Sequence, residues 1–297
     1  MAKTSDSVKT KQVVSSQTDT GEVALVSRPE LSNEGLGASI EVTAYDEFGA
    51  VREGHIAAER ALTIYLDKRE VLTLMTLGSE PELLVLGWLK NQNLINDISE
   101  VESVHIAWDV EAAAIKTRGG VSELDEKLEH KTVTTGCGQG TMFGNLMDRL
   151  SEIKLATPSI KQSQIYGLLK SLSAHNDVYR KAGAVHGCAL CQGTEILSFV
   201  EDVGRHNAVD TIAGYMWLEG VSGDDKWFYT TGRLTSEMII KVAQMGIPVL
   251  LSRSGVTQMG LELAQQLGVV LIARAKGRHF LIYNGADQIE FDAIPVK

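Results

Sequence analysis

"KWFYTTGRLTSEMIIKVAQMGIPVLLSRSGVTQMGLELAQQLGVVLIARAKGRHFLIYN" runs from Lys226 to Asn284, and its pattern decides the fold. Strand-length apolar runs (WFYT, IPVLL, VVLIA) alternate with two segments of helical period, "TSEMIIKVAQM" and "TQMGLELAQQL". The first helical segment stops at Gly246 and the second at Gly268, glycine after the last apolar turn being a helix stop. Strands alternating with helices predict an α/β domain with a largely parallel sheet. Working back, "RHNAVDTIAGYMWLEG" from Arg205 predicts another helix, and "VHGCALC" with "EILSFVED" predicts a hairpin around "QGT". "SQIYGLLKSL" places Ile165, Leu168, Leu169 and Leu172 at i, i+3, i+4 and i+7, the face of an amphipathic helix.

The first half has a different pattern. "SIEVTAYDEFG" and "ALTIYLDKREVLTLMTLG" are rich in β-branched and apolar residues and predict strands. In "SEPELLVLGWLKNQNLI", Ser79 followed three residues later by Glu82 predicts a capping box, with Pro81 in the first turn of a partly buried helix. "SVHIAWD" and "AAAIKTRG" predict a hairpin. The expected organisation is a polar, Ser/Thr-rich disordered tail over residues 1–38, a small N-terminal α+β domain over 39–125, a mobile glycine/cysteine loop and linker over 126–160, and the C-terminal α/β domain over 161–290.

Composition narrows the function. Net charge is −10, from 28 Lys+Arg against 38 Asp+Glu, which argues against nucleic acid as a partner. Apolar runs are strand-length, so no membrane span is expected. The first residues lack a continuous apolar core of the secretory type, and three cysteines are an odd count, so the expectation is a cytoplasmic protein with free thiols.

The strand-to-helix junctions share a chemistry. "EDVGRHN", "TGRLTS", "SRSGVT" and "RAKGR" each carry glycine and arginine. Ligands of open α/β sheets bind outside the carboxyl ends of strands, near helix N-termini. Arg205, His206, Arg233, Arg253, Arg274, Lys276 and Arg278 could thus converge on one face and hold a phosphate-bearing ligand. One arginine in a loop is ordinary; four junctions of the same character favour a site. Neither a P-loop nor a dinucleotide fingerprint is present, which disfavours an ATPase or a nicotinamide dehydrogenase.

Cys137 stands in "TTGCGQGT", a segment too glycine-rich and polar for a core, where a thiol can ionise and reach a partner. Cys188 and Cys191 form a C-x-x-C two residues after His186. The pattern lacks the H-x-E and P-C-x-x-C of zinc deaminases, and strand residues three apart point to opposite faces. Two small buried thiols or a redox-sensitive pair therefore fit better than zinc, and His186 fits an interior histidine.

At "EDVGRHNAVD" (Glu201–Asp210) the chain resembles the FdhD family of formate dehydrogenase accessory sulfurtransferases, with a likeness running from about residue 45 to 290. "AGAVHGCAL" is similar to the family's T-G-G-V-H-x-A-x-L segment, and "TTGRLTSE" to its S-G-R-x-S-x-E. The resemblance implies a C-terminal domain of cytidine-deaminase-like, three-layer α/β fold without zinc chemistry. It implies a sulfur carrier that accepts sulfane sulfur from a cysteine desulfurase as a persulfide on Cys137. The sulfur then passes to the molybdenum cofactor in its bis(molybdopterin guanine dinucleotide) form, for the catalytic subunit of formate dehydrogenase. The stretch Ile272, Ala273, Arg274, Ala275, Lys276 and Gly277 occupies the position expected to touch that cofactor, with Arg205, His206 and Arg233 adding to it. A homodimer is compatible with this picture. One departure stands out: the family's loop has C-G-x-C-G, and here Gly140 replaces the second cysteine. That places any resolving-thiol step in question and keeps open a second role, a chaperone that presents the cofactor without sulfur chemistry. A zinc-dependent hydrolase is the third reading.

Overall fold

The computed structural model describes residues 28–121 and 152–293, besides four two-residue strand pieces at Ser16–Gln17, Val23–Ala24, Thr132–Val133 and Gly140–Thr141. In chain order the first half contains β1 (Glu30–Leu31), β2 (Ser39–Tyr45), β3 (Val51–Ala57), β4 (Arg60–Leu66), β5 (Arg69–Thr76), α1 (Pro81–Asn91), β6 (Val101–Ala107) and β7 (Ala112–Thr117). The second half contains β8 (Ile160–Lys161), α2 (Gln162–Ser173), α3 (Asp177–Ala182), β9 (His186–Gln192), β10 (Glu195–Asp202) and α4 (Arg205–Glu219). It continues with β11 (Trp227–Thr230), α5 (Ser236–Gln244), β12 (Val249–Ser252), α6 (Gln258–Leu267), β13 (Val270–Lys276), β14 (His279–Asn284) and β15 (Ile289–Glu290).

The fold is mixed α/β. Strands β10-β9-β11-β12-β13-β14 form a six-stranded sheet. Its central strands β11 and β12 are buried throughout because both faces of the sheet are covered. Phe228 and Leu250 pack with α4, α5 and α6 on one side. Trp227, Tyr229, Val249 and Leu251 pack with Ile165, Leu168, Leu169 and Leu172 of α2 on the other. These four α2 residues are the face expected from the periodicity. The sheet departs from the largely parallel expectation. Only β11, β12 and β13 run parallel, and β9, β10 and β14 are antiparallel. The reason is local: β9–β10 and β13–β14 are joined by tight turns with Gly193 and Gly277 at positive φ, and a tight turn can only reverse a strand. Gly246 and Gly268, also at positive φ, end α5 and α6 as expected.

Strands β1-β6-β7-β4-β5 form a five-stranded sheet, with α1 lying on it. Two sequence expectations change here. Residues 28–38, expected to belong to the tail, are ordered: β1 pairs in parallel with Ser103–Val104, and Pro29 is buried. The Ser79–Glu82 capping box does not form, because the N-cap is Glu80, one residue too late for Ser79. Glu82 instead accepts from Ser32 Oγ at 2.7 Å and from the Glu34 amide at 2.8 Å, which fastens that ordered segment. β2 and β3 form a separate hairpin.

The two sheets meet through α1 and α4, which cross at glycines. A Cβ on Gly87 would come within 1.7 Å of the Asp210 carbonyl oxygen, and one on Gly214 within 1.9 Å of the Leu83 carbonyl oxygen. Close by, Lys241 Nζ on α5 donates to both Asp210 carboxylate oxygens at 2.8 Å, and Asn91 Nδ2 on α1 donates to one of them at 2.7 Å. Asp210 and Lys241 are fully enclosed, so removing one partner would leave a buried charge uncompensated. Gly214→Ala is expected to lower unfolding free energy by about 3 kcal/mol through overpacking. Gly37→Ala, where a Cβ meets nothing within 4 Å, should leave stability unchanged. Urea denaturation compares them, and equal midpoints for the two variants would contradict this helix contact.

Candidate functional site

At the carboxyl ends of β11, β12 and β13 three loops are laced side by side. Arg253 N donates to Thr230 O at 3.2 Å, Leu234 N to Gly255 O at 2.9 Å, and Arg274 N to Ser254 O at 2.9 Å. Strand-end hydroxyls brace the loops: Thr230 Oγ1 accepts from Gly232 N at 3.0 Å, and Ser252 Oγ donates to Gly232 O at 2.6 Å. Gly187 of β9 joins through a reciprocal pair with Thr231, its amide donating to the hydroxyl at 3.0 Å. The result is a rigid rim carrying Arg233, Arg253 and Arg274, all exposed. The Arg253 guanidinium lies 5.6 Å from the ring centroid of Tyr179.

The β10–α4 junction, "EDVGRHNAVD", borders this rim, and most of its polar side chains face inward. Glu201 accepts from the amides of Val178 and Tyr179, both at 2.9 Å, and so caps α3. Asp202 accepts four hydrogen bonds: from Thr76 Oγ1 at 2.6 Å, Leu77 N at 3.0 Å, Gly204 N at 2.9 Å and Asn207 Nδ2 at 2.8 Å. Asn207 Nδ2 also donates to Met75 O at 2.7 Å. These bonds tie the end of β5 to the start of α4, and Asp210 completes the set.

Of the residues expected to hold a ligand, the structure brings Arg205, Arg233 and Arg274 to the strand ends. Arg205, the first residue of α4, is 4% exposed, and its Nε is buried without a hydrogen-bond partner among the described residues. Its stem lies on Gly232, where a Cβ would come within 2.9 Å of Arg205 Cδ, so only glycine fits there. Arg274 sits at an irregularity in the β13–β14 ladder with φ +55°, and its guanidinium lies over Gly255, 3.4 Å from where a Cβ would stand. Lys276 and Gly277 are exposed in the following turn. Ile272, Ala273 and Ala275 are enclosed in the core on the two faces of the sheet.

The His206 side chain lies beneath the surface. It is 1% exposed, and its Nε2 lies 3.2 Å from Glu237 Oε2. Burial, then the charges of Lys241 and Arg205, push its pKa down to about 2, so the contact is a hydrogen bond from a neutral ring rather than an ion pair. His186 is half-buried, and its pKa is lowered by burial and by Arg205 and Arg233. The inward roles of Asp202, Asn207, Asp210, Glu237 and Lys241 were missed from sequence. The one available signal was Lys241, a lysine on the apolar face of "SEMIIKVAQ".

Cys188 and Cys191 are both buried, and each thiol is pushed up to about 12 by burial. They belong to the cores on opposite faces of the sheet, which removes them as a ligand pair for one ion. Cys137 lies outside the described residues; Gly140 pairs with Val133 in a short antiparallel ladder.

The model of the FdhD/NarQ family matches residues 57–290. The chain belongs to the FdhD/NarQ family. The sulfur carrier protein FdhD of Listeria innocua is 28% identical over 241 residues, covering 80% of this chain and 92% of that protein. Its namesake from Wolinella succinogenes is 28% identical over 251 residues, covering 84% and 87%. A crystal structure from Desulfotalea psychrophila, described as a formate dehydrogenase accessory protein, superposes with a TM-score of 0.67 at 25% identity. That likeness covers 86% of this chain and all of that one. No helix among the described residues is long and apolar enough to cross a membrane.

The neutral His206 gives a pH prediction. The unfolded chain takes up a proton near the ordinary histidine pKa of about 6.5, and the folded one refuses it until about pH 2. The stability from this group is therefore present above about pH 6.5 and is lost as pH falls below it, by about 1.4 kcal/mol per pH unit. Thermal melts between pH 7 and pH 5 should fall less steeply for His206→Gln than for the wild type, and parallel curves would contradict the assignment.

Proposed function

We propose that this member of the FdhD/NarQ family is a sulfurtransferase that serves a formate dehydrogenase. Cys137 thiolate attacks the terminal sulfur of a persulfide on a cysteine desulfurase; the new S–S bond forms as the donor's breaks, and the donor cysteine leaves as thiolate. The outer sulfur then passes to the bis(molybdopterin guanine dinucleotide) form of the molybdenum cofactor, bound as a substrate in the cytoplasm: the S–S bond on Cys137 breaks, Cys137 leaves as thiolate, and a reduced acceptor supplies the two electrons that take the sulfane sulfur to sulfide. The observation that carries this reading is the match to relatives named sulfur carrier protein along 80% or more of the chain, with Cys137 standing at the loop position where the family resemblance puts its persulfide.

The strand ends suit such a substrate. Arg205, Arg233, Arg274 and Lys276 give an acidic chain a local cationic face, and Gly277 leaves the backbone of its turn open to approach. Orphaned Arg205 Nε and the cradle over Gly232 fit an anion better than they fit a sealed core. His206 supports this face from beneath. Cys188 and Cys191 contribute nothing to sulfur relay while buried as thiols, so the loop needs only one sulfur anchor, and Gly140 in place of a second cysteine does not prevent a single-thiol carrier.

Gly140 also favours a second reading, a chaperone that binds and presents the cofactor without carrying sulfur. Intact-mass spectrometry after incubation with a cysteine desulfurase and cysteine separates the two. The wild type should gain one sulfur atom and Cys137→Ala none. An adduct that persists in Cys137→Ala would remove Cys137 from its role. Formate dehydrogenase activation that survives in Cys137→Ala would favour the chaperone.

A further inference from the structure

The β2–β3 hairpin, residues 39–57, joins neither large sheet. It is fastened at its base, where Ala58 N donates to Ala38 O at 2.9 Å and Arg60 Nη1 donates to Leu77 O at 2.5 Å. Of the eleven large apolar side chains that stand exposed among the described residues, five lie on this hairpin. Ile40 pairs with Ile56 across the strands, and Tyr45 pairs with Val51. Successive side chains alternate along a strand, so the first pair lies on one face and the second on the other. Phe48, at the tip, is 86% exposed. Hydrogen bonds hold this tip in shape: Asp46 Oδ1 accepts from the amides of Phe48 at 3.0 Å and Ala50 at 2.9 Å, and Gly49 turns the chain at φ +78°. Scattered apolar side chains are ordinary on a surface, but five on one hairpin form a patch. A hairpin of two strands is also marginal in water without something packed on it.

Charge limits what that cover is. The hairpin carries four carboxylates (Glu41, Asp46, Glu47 and Glu53) against one arginine, and Arg52 is paired with Asp46 Oδ2 at 2.8 Å. Such a surface is repelled by anionic lipid and by nucleic acid, and two copies meeting hairpin to hairpin would bring like charges together. It fits an apolar cleft with a cationic border. Position narrows the choice further. α3 packs against β3, and the Tyr179 ring on α3 lies 5.6 Å from the Arg253 guanidinium of the strand-end rim. A protein seated on the hairpin is therefore a neighbour of the rim.

We propose that the β2–β3 hairpin is the docking arm for the protein that takes the cofactor from the rim, the cofactor-free catalytic subunit of formate dehydrogenase. This rests on the reading above that the cofactor is held at the strand ends and passed on. A subunit still to receive a nucleotide-bearing polyanion must open a cationic mouth, and an acidic hairpin tipped by Phe48 is the complement of such a mouth. Phe48 and Tyr45 supply the apolar anchors, and the carboxylates steer the encounter.

Biolayer interferometry of the full chain on the cofactor-free catalytic subunit, at low and high salt, tests this. The wild type should bind, more weakly at high salt. Phe48→Ser should weaken binding by about 10-fold or more, the size expected for a lost aromatic anchor. Glu47→Lys should slow association and flatten the salt dependence. Both residues are exposed at the tip, and thermal melts check that each variant is folded. Sulfur uptake on Cys137 from a cysteine desulfurase, read by intact mass, should be unchanged in both. Wild-type affinity in both variants overturns the docking arm and leaves the sulfur-carrier reading standing. Sulfur uptake lost in the variants, with subunit binding intact, assigns the hairpin to the donor instead. A wild-type dimer that dissociates in Phe48→Ser, with subunit binding intact, assigns it to a second copy; either result overturns the proposal. A wild type that takes up sulfur but does not bind the subunit overturns the acceptor reading along with it.

Discussion

Everything at the strand ends depends on where α4 sits, and α4 is fixed by two buried aspartates. Asp202, just before the helix, joins the end of β5 to the helix start through four hydrogen bonds. Asp210, one and a half turns in, gathers Lys241 from α5 and Asn91 from α1. Between them the helix presses against α1 so closely that only glycines fit at positions 87 and 214. A side chain at the start of such a helix has little freedom to move, and Arg205 is held where its Nε has no acceptor among the described residues. That is pre-organisation: the helix is stabilised by contacts remote from the rim, so the rim can keep a donor unsatisfied.

The sequence made the layers legible because their signals are local. The α2 stripe of Ile165, Leu168, Leu169 and Leu172, and the stops at Gly246 and Gly268, are read within a few residues and hold in the structure. The direction of the sheet strands was less legible, since the apolar runs of β9 and β14 are the same whether a strand is parallel or antiparallel. Ser79–Glu82 has the spacing of a capping box, yet Glu82 is taken by Ser32 and the Glu34 amide, partners that lie about fifty residues away in the chain. Sequence spacing carries no information about such a competitor.

The site was partly legible. Arginines at strand ends could be foreseen, because an α/β topology brings those junctions to one edge. Inward and outward polar residues could not be told apart: in "EDVGRHNAVD", Arg205 faces the rim while Asp202, Asn207 and Asp210 hold the two halves together and His206 lies against Glu237 of α5. A ten-residue signature that looked like a ligand motif is thus mainly a joint. The same limit applies to the "IARAKG" stretch, where Arg274, Lys276 and Gly277 reach solvent and Ile272, Ala273 and Ala275 are enclosed. Burial likewise sets two of the thiols apart: Cys188 and Cys191, with pKa values pushed up to about 12, stay protonated.

The central claim is that α4 is anchored so as to present Arg205 to an anionic ligand at the strand ends. The most direct measurement is a crystal structure of the chain with guanosine diphosphate bound. The account predicts phosphate oxygens within hydrogen-bonding distance of Arg205 and of the first-turn amides of α4, with the Asp202 and Asp210 bonds unchanged. Phosphates bound elsewhere, with the Arg205 guanidinium turned onto a protein carboxylate, would contradict it.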